Sequence, residues 1–130
     1  MSRLKEIDEK IDELIMEKRK EIERYVKLFN NNFIKRVKNM FNVECYAEVW
    51  EDFEDPTHIR VALRVKSPHE GRSNDYLEVY YADARLANKI RDYVVTNYPE
   101  LKDYIFVFVE GHSKFEYHKQ NALMQGKLLI

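Results

Sequence analysis

The chain has 130 residues, 45% of them hydrophobic and 13% aromatic, and a formal net charge of −1 from 22 basic and 23 acidic residues. One domain of that size can bury a core, the aromatic content excludes a disordered chain, and the balanced charge supplies no global field for nucleic acid or an anionic membrane. Cys45 is the only cysteine, which excludes an intrachain disulfide and a cysteine-stapled secreted scaffold.

The first six residues are largely polar and lack the apolar stretch of a secretory leader. The longest apolar run, Tyr104 to Val109, is far too short to span a bilayer. A cytoplasmic protein without membrane contact is expected. Only three Gly and three Pro occur, so loops should be few and short.

Residues 3 to 41 contain neither Gly nor Pro. Apolar residues recur at Leu4, Ile7, Ile11 and Leu14, then shift by one position to Ile15, Ile22, Val26, Phe29, Phe33, Val37 and Met40. This period predicts a long amphipathic helix over 1–42, with a weak point at Asn30-Asn31-Asn32 where it can break in two. A helix of that length is about 55–60 Å long, whereas a domain of this size is only ~30 Å across. The seam of Leu4, Ile7, Ile11 and Leu14 therefore projects beyond the body, and a second copy of the chain is the expected shield.

From Val43 the period switches to two, opening an α+β body over 43–130 that forms one domain with the helix. Val43, Cys45, Ala47 and Val49 point one way, and Glu44, Tyr46, Glu48 and Trp50 the other. After a turn at Asp52 to Thr57, the next strand turns Ile59, Val61, Leu63 and Val65 inward. It turns Arg60, Arg64 and Lys66 outward, opposite the acidic Glu44, Glu48 and Asp52. A polar loop, Ser67 to Asp75, leads to a third strand carrying Leu77, Val79 and Tyr81, which completes an antiparallel three-strand meander. Asp83 is the expected cap of a helix from Ala84 to about Asn97, with Leu86, Ile90, Tyr93 and Val94 buried and Pro99 as its stop. Tyr104 to Val109 is apolar on both faces and reads as a central strand. Ser113 to Glu116 and Gly126 suggest a short C-terminal helix, followed by a last strand.

The order helix, three strands, helix, strand resembles the core of the PD-(D/E)xK nucleases. That resemblance implies a metal-binding acid on the second strand and a (D/E)xK pair on the third. Here Leu77-Glu78-Val79-Tyr80 has no lysine two places after Glu78, and Leu63-Arg64-Val65-Lys66 lacks the acid. His112 and His118, with Glu110 and Glu116, lack the spacing of a zinc site. Cys45 has no base beside it in sequence, and no GxSxG, Walker A or GxGxxG motif occurs. No catalytic residue, metal or cofactor is assigned. The short basic run Lys35-Arg36-Val37-Lys38 fits dipole compensation at a helix end, and nucleic acid is not an expected partner.

Two features stand out. The first is the helical seam, assigned to homo-oligomerisation. The second is the outer sheet face, where Tyr46, Trp50, Tyr80, Phe106 and Phe108 would join Arg60 and Arg64, with His69, Arg72, Ser73 and Asn74 on the adjoining loop. Trp50, Arg64, His69, Arg72 and Tyr80 are the expected contacts for a partner or ligand. The leading expectation is a non-enzymatic, oligomeric binding protein that modulates another macromolecule, of inhibitor, immunity or chaperone type. Capture of a small anionic or nucleotide ligand ranks second, and a divergent metal-dependent nuclease using Glu78 ranks third.

Overall fold

The computed structural model describes residues 2–130 and has the α+β class read from the sequence. Helix α1 (Arg3–Leu28) starts at Ser2, whose side chain accepts from the Lys5 amide. It runs without a break through one wide π-helical turn (Phe29–Phe33) into α2 (Ile34–Phe41). Asn42, in the left-handed conformation at φ 52°, ends it. The asparagine run bends the hydrogen-bond pattern instead of breaking the helix. The extra residue of the π turn keeps Phe29 and Phe33 buried while aiming Asn30 at the sheet.

Strands β1 (Cys45–Glu51) and β2 (Ile59–Lys66) form the expected antiparallel hairpin, pairing Cys45 with Val65 and Trp50 with Arg60. Ile59, Val61, Leu63 and Val65 are all buried on one face, as the alternation requires.

The segment expected to be a third antiparallel strand is helical. Helix α3 (Tyr76–Asn97) begins at Asp75, whose carboxylate accepts from the amides of Leu77 and Glu78. Two backbone amides satisfied at once outweigh a short alternation of apolar residues. Asp83 therefore lies two turns inside the helix and caps nothing. Ile90 and Val94 are fully buried. A 3₁₀ turn (Pro99–Leu101) leads to β3 (Ile105–Glu110), which lies parallel to β2. The sheet order is β1-β2-β3, so β3 is an edge strand and not the central strand its composition predicts. Helix α4 (His112–Met124) follows, with Gly126 just past its end at φ 67°. Residues 127–130 form no strand.

α1, α2 and α3 cover the inner face, where Ile22, Val26, Phe29, Phe33, Ile90 and Val94 join the sheet in one core. α4 lies on the outer face, with Phe115 buried against Tyr46 at a ring separation of 5.3 Å. The amino-terminal end of α1 is unsupported: Leu4 is 74% and Leu14 63% exposed.

Candidate functional site

The two edges of the sheet are built differently. At β1 the Asn30 side chain acts as a one-residue strand. Its amide nitrogen donates to the carbonyls of Ala47 (2.8 Å) and Leu129 (2.7 Å), and its oxygen accepts from the Ala47 amide (2.8 Å). The Val49 amide donates to the Lys127 carbonyl (3.0 Å). This edge is closed from both directions.

At β3 the edge is open. Bonds from the Val61 amide to the Tyr104 carbonyl and from the Ser67 amide to the Glu110 carbonyl turn the even-numbered residues of β3 toward β2. The main-chain groups of Val107 and Val109 therefore face outward. Among the described residues no protein group takes them up. Phe106, Val107, Phe108 and Val109 are all only half-buried.

A groove follows this edge between β3 and α3. One part, of about 300 Å³, is bounded by Val107 and Phe108 on the strand and Tyr80 and Ala87 on the helix. It shares walls with a cleft of about 480 Å³ that reaches Glu70, Ser73, Tyr76 and Gly111. Three carboxylates, Glu70, Asp83 and Glu110, line the cleft against one cation, Lys114. The Tyr76 and Tyr80 rings flank it, exposed by 89% and 62%. Glu110 is nearly buried and already paired with Arg64, so the exposed Glu70, with Asp83 behind it, carries the attraction for a cationic group, which the rings can face.

The carboxylates are fixed by the fold. Glu70 accepts from the His112 amide at 2.5 Å, so a loop side chain caps α4, whose own cap residue Gly111 has no side chain to do so. A Cβ on Gly111 would come within 3.0 Å of the same carboxylate. Asp83 accepts from the Ser67 hydroxyl (2.6 Å) and lies 2.8 Å from His69 Nδ1. Serine, histidine and aspartate thus meet, but the aspartate stands in the middle. The serine hydroxyl has no imidazole to take its proton, so this is no nucleophilic triad. Glu110 Oε1 accepts from Arg64 at 3.3 Å, and His118 Nε2 is 3.7 Å from the other oxygen.

Of the five contact residues expected from sequence, Tyr80 forms a groove wall, and His69 is held behind it by Asp83. Arg72 is exposed on the neighbouring loop. Trp50 lies at the opposite end of the sheet, against His58 and Phe106 with ring centroids at 5.2 and 4.9 Å. Arg64 is 8% exposed, paired with Glu48 at 2.5 Å and with Glu110, and lies over the Phe108 ring. Its guanidinium is already occupied and cannot reach an external anion. Beside it the Tyr46 hydroxyl is buried with no hydrogen-bond partner among the described residues, and burial, then Glu48, raises its pKa.

The strand that would carry a (D/E)xK pair is helix, and Glu78 accepts from the Ser73 hydroxyl there. Among the described residues no group of three His, Cys, Asp or Glu could hold a metal ion. Cys45 is buried, and burial pushes its thiol up to about 12, far from a thiolate nucleophile. No described helix is long and apolar enough to cross a membrane. Sequence reasoning missed Glu70, Asp83 and Lys114. Asp83 carried a signal, because a second acid after Asp75 was free for another role once Asp75 capped the helix. Comparison with protein-family models, curated proteins and solved structures gave no match.

Proposed function

We propose that the chain is a non-catalytic, self-associating cytoplasmic protein that binds and modulates another macromolecule at the open β3 edge. The partner supplies an extended segment that adds a fourth strand, with a lysine or arginine entering the Glu70–Asp83–Glu110 cleft. One observation carries this reading: Ile105-Phe106-Val107-Phe108-Val109 has the composition of a central strand, yet among the described residues no strand pairs with its outer edge. Edge strands are ordinarily blunted by charge, proline or a bulge. Here the first charge is Glu110, at the strand's end.

The acidic lining and the occupied Arg64 weigh against a small anionic ligand. The helical course of Tyr76–Asn97 weighs against a nuclease.

Selection from a displayed library of unstructured peptides tests the reading. Enriched sequences should combine a β-branched run with a flanking Lys or Arg. Val107→Pro removes an outward amide without removing a bond to β2, and should weaken the selected peptides at least tenfold. Lys replacing Tyr80 should weaken the basic-flanked peptides specifically. Enrichment of helical or acidic sequences, or equal binding by Val107→Pro, overturns it.

A further inference from the structure

The exposed seam on α1 does not stop at Leu14. Carried on at the same spacing of four and three, it passes through Lys18, Glu21 and Tyr25. These residues line a separate cleft of about 290 Å³, closed by Ile22, Leu101 and Tyr104. The stripe therefore divides. Ile15, Ile22, Val26 and Phe29 turn into the chain's own core. The strict heptad line runs out over a predominantly apolar, open cleft.

The two polar residues on that line present their stems. The Lys18 ammonium is drawn aside to the Thr57 carbonyl on the β1–β2 turn and toward the Tyr104 ring at 5.5 Å. Burial lowers its pKa first, with Arg60 adding to the effect. Glu21 is held by Arg24 at 2.6 Å. The Tyr25 hydroxyl is fixed to Glu100 at 3.0 Å. Aliphatic stems and ring faces are left to meet an apolar visitor.

We infer that the visitor is the amino-terminal seam of a second copy, lying antiparallel on α1. This rests on the self-association in the preceding reading and gives it a geometry. In the antiparallel register that keeps the heptads aligned, Ile11 faces Leu14 of the other chain, Ile7 faces Lys18, and Leu4 faces Glu21. Leu4 and Ile7 then lie over that cleft, in both copies at once. The contact is two-fold and closed, so it makes a dimer and not a filament. On its flank Lys10 comes beside Glu17 of the other chain, an attractive pairing, and further out Arg3 comes beside Arg24, each already paired with an acid of its own helix, Glu6 and Glu21. The opposite ends of the two helices carry the two bodies apart. A parallel pair would instead set Lys18 on Lys18 and Glu21 on Glu21, and bring both bodies to one end with the clefts unfilled.

Light scattering on the full chain is expected to give twice the 15.8 kDa chain mass. Chains with Leu4→Cys and chains with Glu21→Cys are then mixed and oxidised; buried Cys45 stays silent. The antiparallel pair predicts a mixed 4–21 cross-link and none from either variant alone. A monomeric mass in the unaltered chain overturns self-association altogether. A dimer in which Leu4→Cys alone links to itself overturns the antiparallel geometry and leaves self-association standing. Both positions are exposed on the helix surface, so neither substitution threatens the core.

Discussion

The two edges of a three-stranded sheet have received opposite treatment. At β1 a single asparagine, carried on a π-helical turn, pairs with both main-chain groups of Ala47, and the C-terminal tail takes the Val49 amide. At β3 the outward groups of Val107 and Val109 are left without a protein partner among the described residues, beside a groove. Both edges carry apolar strands, so apolarity alone does not separate a finished edge from one built to receive something. The difference lies in whether the fold spends a side chain and a terminus on covering it. A folded chain leaves main-chain donors and acceptors unpaired only where water or another molecule meets them.

The largest effect is expected where the edges are tied together. Arg64 on the central strand bonds Glu48 on β1 and Glu110 on β3. Arg64→Ala strands two carboxylates beside a buried phenol and should cost about 4 kcal/mol in chemical denaturation. Arg64→Lys restores the charge without the two-sided geometry and should recover only part of that loss. Next comes the plug. Asn30→Ala leaves the Ala47 amide and two carbonyls unpartnered and should cost about 2 kcal/mol. Amide exchange sharpens the same point: the Ala47 amide should be protected in the unaltered chain and lose protection in Asn30→Ala. The Val107 amide should exchange readily in both. Equal protection at Ala47 and Val107 would erase the contrast between the edges. Smaller still is Val107→Pro, expected to change stability by under about 1 kcal/mol because it removes no ladder bond. Its effect belongs to peptide binding.

The elements legible in the sequence were those whose pattern is local. The inward face of β2 follows from strict alternation, and the long helix from an uninterrupted 3.6-residue period without Gly or Pro. Tyr76–Tyr81 was misread because Leu77, Val79 and Tyr81 alternate like a strand, while the decisive signal, Asp75 ahead of two free amides, occupies a single position. β3 shows the deeper limit. An apolar run reports that neighbours are wanted, and the sequence does not report whether the fold supplies them. Pairing with β2 in parallel depends on the crossover through α3, a non-local choice. The site was only partly legible for the same reason. Tyr80 and His69 reached the groove region, but Trp50 sits at the far end of the sheet. Arg64 was drawn inward by two acids, one of which, Glu48, the alternation had placed on its face.

The smallest handle on the comparison is the turn that joins β1 to β2. Asp52 accepts from the Glu54 amide at 2.8 Å and lies 3.1 Å from His58 Nδ1. The Glu54 amide first, and His58 after it, hold its carboxyl below the ordinary carboxylate value. Asp55 is held down in the same direction by the Thr57 hydroxyl and amide. In the unfolded chain such groups take up protons near pH ~3.9. Their contribution is therefore fully present above that pH and is lost as pH falls through the lower folded values. Asp52→Asn should lower stability modestly at neutral pH and flatten the acid limb below pH ~4, so that the two stability–pH curves converge in acid. In the unaltered chain, acid should loosen the hairpin at its turn end, while Val107 and Val109, with no bond to lose, should show no matching transition. An acid limb of the same slope in Asp52→Asn would mean that the turn clamp adds nothing to the closed side of the sheet.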